Sequence, residues 1–277
     1  MHRISPVLSL VLLAAAACGA EETPGLDTAI VSSRSLSADF GGSTSIVGVT
    51  VEPNTGRRFV LDDQRGIYEV LAEGVMRVAS LDEITAQGDQ PQSAFTDFVA
   101  IDEGEFALTA MNDGFLYDLE TGTLSSYFCY VPGFIDDLPG GDGEIFQLTE
   151  SVTFDPEANL MFAQPQTFNT ANPNDVLLSQ IGRFEMTGGE GFGWVDAPSL
   201  DFRAGAMAAV GNGKLLLVEG SRLLRVDATT GAVDGQTDLS RIGLQSIHAL
   251  TYDHTAQSLI AVDQASETLY ELDIDLL

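Results

Sequence analysis

An all-β fold, with blades closed into a ring as a β-propeller, is predicted by three observations. One unit of apolar strand, Asp-type turn, apolar strand, small polar turn and alternating strand can be laid over most of the 277 residues. After the N-terminal segment, no stretch keeps a helical period with caps at both ends. The units span about 40–55 residues and give three or four antiparallel strands each. Units of that size must bury their faces on their neighbours, which a ring of blades achieves.

In chain order, Met1-His2-Arg3 is a short basic start, and residues 7–17 (VLSLVLLAAAA) form an apolar run. It is too short for a membrane-spanning helix, which needs about 20 residues. The run ends in Ala15-Ala16-Ala17-Cys18-Gly19. Small residues directly before a cysteine resemble the lipobox of bacterial lipoproteins, although Ala15 stands where that family most often has Leu. The resemblance implies cleavage before Cys18, diacylglycerol on its thiol, and a lipid-anchored protein at the outer membrane or periplasmic face of the cell envelope. The competing reading is an ordinary secretory signal cut after Ala15-Ala16-Ala17, which releases a soluble protein. The expected organisation is a signal peptide at residues 1–17, a lipidated cysteine and tether at 18–28, and a propeller at 29–277. If Cys18 is lipidated or removed, Cys129 has no partner for a disulfide. Among Tyr127, Phe128 and Tyr130 it reads as a small buried apolar residue.

The first unit opens at Ser45 (SIVGVTV, EPNTG, RRFVLDD) and the second near Phe95 (FTDFVAI, DEG, EFALTAM). The third opens at Ser151 (SVTF, DPEAN, LMFAQ), the fourth at Ala206 (AMAAV, GNG, KLLLVEG) and the fifth at Ser246 (SIHALTYD, HTAQ, SLIAVD). This blade pattern resembles the broad group of NHL-like and YncE-like β-propellers over roughly residues 29–277. Small residues on the first strands (Gly48, Ala100, Ala206, Ala249) suit a crowded central channel, and middle strands such as LLLV and LIAV suit sheets sandwiched between neighbours. The fifth unit stops after its third strand. Residues 29–36 (AIVSSRSL) are therefore expected to supply the missing outer strand and close the ring at five four-stranded blades. The competing count is six, with one blade hidden in residues 127–149.

Turns between first and second strands are short in every unit. The long segments, 82–94, 131–149 and 165–175, fall in the two loop classes that open on the opposite end, so that end is the expected working face.

Lys+Arg is 12 against Asp+Glu 41, for a net charge of -29. Nucleic acid is excluded as a partner by this balance, and electrostatic docking to anionic lipid is disfavoured. Cations or basic proteins are the charge-matched partners, and a monomer is expected. The second strands end in Asp62, Asn112, Gln164, Glu219 and Asp263, oxygen donors that could converge on a hard cation such as calcium. The competing reading is that these acids cap their own turns. Gluconolactonase-like propellers carry a metal on Glu, Asp and Asn at that place, and the architectural resemblance implies an alternative, a metal-dependent hydrolase or lactonase. Of the histidines, His248 lies on a first strand and could face the channel, and His254 lies in a short turn. With no nucleophile elbow, phosphate loop or zinc spacing in the chain, the reading favoured is a binding scaffold for an envelope protein or small ligand.

Overall fold

The computed structural model describes residues 28–91, 93–111, 113–129, 145–169, 172–185 and 198–274. Five antiparallel sheets follow one another. The first blade is β2 (Ile46–Val51), β3 (Arg58–Asp62), β4 (Gly66–Val70) and β5 (Val75–Ser80). The second is β6 (Asp97–Asp102), β7 (Glu105–Ala110), β8 (Asp113–Asp118) and β9 (Thr123–Cys129). The third holds β10 (Ile145–Asp155), β11 (Leu160–Asn169), a third strand divided into β12 (Asn172–Gln180) and β13 (Gly182–Glu185), and β14 (Ser199–Leu200). The fourth is β15 (Ala206–Gly211), β16 (Lys214–Glu219), β17 (Arg222–Asp227) and β18 (Val233–Asp238). The fifth is β19 (Ile247–Asp253), β20 (Ser258–Asp263) and β21 (Thr268–Ile274), with β1 (Thr28–Ser35) as its outer strand. The innermost strands touch in the order β2, β6, β10, β15, β19, and β19 meets β2 again. The chain is a closed five-bladed propeller.

The apolar runs explain the stacking. In β16, Leu216 and Val218 pack with Leu250, Leu259 and Ala261 of the fifth blade. The alternate residues Leu215 and Leu217 pack with Phe162, Ile181 and Leu200 of the third. A strand apolar at every position is what a sheet covered on both faces requires, and each such leucine contributes about 1.5–3 kcal/mol of burial. Threonines on alternate inner strands knit the ring further. Thr50 Oγ1 accepts from the Ala100 amide at 2.8 Å, and Thr153 Oγ1 accepts from the Ala209 amide at 3.0 Å.

Closure is made by β1, which runs antiparallel to β21 from Thr28↔Ile274 to Ser35↔Thr268. A short helix α1 (Leu36–Phe40) follows, with Ser35 as its N-cap, and Leu36 is fully buried among Val60, Ile260 and Leu269. That leucine fixes the end of the closing strand between the last blade and the first. Besides α1, the chain has a one-turn helix α2 (Leu81–Ile84) and a 3-10 turn at Leu239–Ile242.

Two expected loops are folded otherwise. Most of residues 165–175 belongs to β11 and β12, because the first strands of the third blade reach further than their counterparts. Residues 82–94 hold α2, with a capping box between Ser80 and Glu83, and then lie along the outer strand of the second blade. There Asp89 N donates to Leu124 O at 3.0 Å and Leu124 N to Gln87 O at 3.1 Å, so this connection guards a sheet edge. Of the region read as a possible sixth blade, residues 127–129 end the outer strand of blade two (Thr123–Cys129) and residues 145–149 belong to β10, while residues 130–144, with most of the expected loop 131–149, lie outside the described residues.

Candidate functional site

The two ends of the ring differ. Turns between first and second strands are tight, and several are held by an aspartate whose Oδ1 accepts from two amides ahead of it. Asp155 accepts from Glu157 and Ala158, and Asp253 from Thr255 and Ala256. Asp118 and Asp227 do the same in turns between third and fourth strands. A carboxylate is a strong acceptor for turn amides, and part of the acidity of the chain has this local use. Lys214 and the Thr229 and Thr230 amides hold the Asp227 carboxyl down to about 2.

The opposite end is elaborated by the third blade. The β10–β11 hairpin is paired from Ile145↔Asn169 to Asp155↔Leu160, whereas the other inner strands have six or seven residues. The surplus stands above the ring by about four residues, or ~13 Å. At its foot lies a buried polar layer: Thr149, Ser151, Gln164, Gln166 and Ser179. Gln166 Nε2 donates to the Ala204 carbonyl at 2.8 Å, while its Oε1 is buried with no hydrogen-bond partner.

Beside this layer is Asp97, at the start of β6. Its Oδ2 accepts from Ser151 Oγ at 2.7 Å and from the Val152 amide at 3.0 Å, and its Oδ1 accepts from the Phe98 amide at 2.8 Å. Ser151 Oγ in turn accepts from the Met207 amide at 3.1 Å, so one carboxylate links blades two, three and four. Burial pushes the Asp97 carboxyl up to about 7, against the opposing pull of those three donors. Gly48 is packed against the same group. A Cβ at that position would stand 2.7 Å from Asp97 Oδ1 and 2.6 Å from the Phe98 ring, which explains a glycine in an inner strand.

The acids expected to form a cation funnel end their strands at equivalent places, and their contacts are local. Asp62 accepts from the Ser45 amide at 3.2 Å and the Gln64 amide at 3.0 Å. Asp263 accepts from the Ser246 amide at 2.8 Å and from the Ser266 hydroxyl at 2.7 Å. Each clamps the entry of its first strand to the exit of its second. Glu219 pairs with Arg222 at 2.7 Å across a tight turn. Among the described residues no group of three His, Cys, Asp or Glu side chains stands where one metal ion could be held. Gln164 is buried beside Ser179 inside β11 rather than at a strand end. Asn112 and Cys18 lie outside the described residues. His248 is half-buried at a bulge of β19 between Ile247 and Ala249. His254 meets Tyr252 edge-on at 5.1 Å on the short-turn end. Sequence reasoning passed over Asp97 and Ser151, although a lone acid inside the apolar run FTDFVAI was the visible signal.

No protein-family model matches the chain, and no curated protein matches it. Solved structures do. Glutaminyl cyclase from Myxococcus xanthus has a TM-score of 0.59 at 11% identity, covering 92% of this chain and 100% of that one. The Cps50 (Swd1) β-propeller domain from Myceliophteria thermophila has a TM-score of 0.48 at 9% identity, covering 90% and 100%. At such identities the likeness is one of fold.

Proposed function

We propose that this chain is a lipid-anchored binding module of the bacterial cell envelope, which receives its partner on the end carrying the raised hairpin of blade three. The observation that carries this reading is the asymmetry of the ring. Among the described residues, one end carries tight turns, several of them held by their own Asp, while the other bears the extended β10–β11 hairpin above a buried polar layer. Extended segments on a rigid scaffold are where recognition is concentrated. The net charge of -29 matches a partner of basic character and makes the association salt-dependent. The anchor is supported by the sequence around Cys18. Cyclase activity is not carried over from the structure similar in fold, and Asp62, Asp263 and Glu219 are engaged with turn amides and an arginine.

The test is affinity capture from cell envelopes with the lipidated protein, against a variant in which the hairpin is trimmed to the level of the ring. Capture of a basic partner by the first and not the second is expected. Equal recovery by both would remove the hairpin end from the reading. Palmitate labelling that persists in Cys18→Ala would remove the anchor.

A further inference from the structure

We propose that the edge formed by β1 and the β4–β5 hairpin is the surface on which the protein rests against the lipid bilayer, a proposal that builds on the anchor at Cys18. Exposed large apolar side chains among the described residues are Ile30, Val31, Leu71, Met76 and Met111, and four of these five lie on β1 or on the β4–β5 hairpin. The two elements face each other across a groove of about 620 Å³, whose walls include Ser32, Ser33, Arg34, Leu71 and Glu73. Arg34 Nη1 donates across it to the Leu71 carbonyl. Val31 is thrown outward at a bulge between Ile30 and Ser32 and is 61% exposed. A bulge with two apolar residues on an outer strand is poorly suited to water and well suited to an interfacial contact.

Charge singles out the same edge. Residues 28–80 hold five arginines against six carboxylates, a net of -1, whereas residues 81–277 hold six cations against 32 carboxylates, a net of -26. A membrane with anionic headgroups repels the rest of the ring and spares this quadrant. Glu73 and Asp273 flank the edge, Asp273 as the register partner of Ala29, while Arg77 lies exposed next to Met76. Uncharged zwitterionic lipid is therefore the matching surface.

The position of the anchor supplies the third argument. Nine residues separate Cys18 from Thr28, the first residue of β1. Fully extended they reach about 30 Å, less than the span of a domain of this size. Strand direction places Thr28 opposite Ile274, at the end of blade five that carries the short turns. The tether thus enters beside Ile30 and Val31, and the raised hairpin of blade three is directed away from the bilayer. Lipid insertion supplies the attachment, and the apolar edge sets the orientation.

Hydrogen exchange of the full lipidated chain on phosphatidylcholine vesicles tests this, compared with the Cys18→Ala chain in solution. Slower exchange confined to residues 28–34 and 71–77 is expected, with blade four unchanged. A second measurement places a fluorophore at Val31→Cys or at Ser240→Cys, each with Cys129→Ala, on vesicles carrying nitroxide lipids. Fluorescence is expected to be lost at position 31 and kept at position 240. A protein that floats with vesicles but shows equal quenching and uniform exchange overturns the resting edge while leaving the anchor intact. A chain that never floats overturns the anchor, and with it this proposal.

Discussion

Asp97 sits where a carboxyl is expensive, fully enclosed and within reach of three donors on two strands. Its proton is held up to about pH 7, against 3.8 for an ordinary aspartate. Between those values the native state keeps a proton that the unfolded chain has released, so stability rises as pH falls through that window and levels off above it. Urea unfolding is expected to show a higher midpoint at pH 5.5 than at pH 7.5, and Asp97→Asn is expected to abolish that difference. A wild-type midpoint that rises with pH over the same interval would contradict the assignment. Asp263 offers the complementary case. Replacing it by Ala removes the acceptor for the Ser246 and Ser266 amides and is expected to cost about 1.5–3 kcal/mol, the usual worth of hydrogen bonds to a charged acceptor. Because the clamp needs no ion, the loss should be the same with calcium and with chelator. A calcium-dependent melting point that Asp263→Ala eliminates would restore the metal reading. At this scale the sequence was informative about kind and not about direction. It showed acids recurring at strand ends, while whether they pointed at a common axis or at their own turns depended on backbone amides that no spacing reveals.

The element that decides the architecture is β1. Deleting residues 28–40 takes away the ladder to β21 and the buried Leu36, and leaves β21 as a bare edge. Several kcal/mol are expected to be lost from a typical total of about 5–15 kcal/mol, with aggregation detected by light scattering. Unchanged melting would mean the ring does not depend on this strand. The closing strand was readable from the sequence because the fifth unit lacked a fourth strand and residues 29–36, ahead of the first unit, had no other place in the repeat. Five middle strands were readable for a similar reason, since LLLV or LIAV has no other use than burial on both faces. The connection at 82–94 was not readable. Its Gly, Gln and Pro composition is that of a free loop, and only the hydrogen bonds of residues 87–89 to Leu124 and Ser126 show it covering β9. The β10–β11 extension was missed because Pro165 inside LMFAQPQTFN suggested an end to the strand, yet it continues to Asn169.

Over the whole molecule the charges repel one another, and 26 of the 29 net negative charges belong to residues 81–277. Raising ionic strength from about 0.01 to 0.15 M shortens the screening length from about 30 to 8 Å, and the melting temperature is expected to rise with it. A fall would show that the ion pairs of Arg57, Arg58 and Lys214 outweigh the general repulsion. The union of Thr28 with Ile274 has a consequence for the order of folding. The strand that is synthesised first is the one whose partner is synthesised last. During synthesis β1 therefore emerges with nothing to pair with, and it waits while four blades stack behind it. Until β21 arrives the assembly is an open arc with two free edges, and the slow event is the meeting of the two ends rather than the making of any blade. Joining the termini and cutting the chain between blades four and five, at Leu244–Gln245, would give a circular permutant whose first blade, β19-β20-β21-β1, is born complete, shortening the interval during which those edges are exposed.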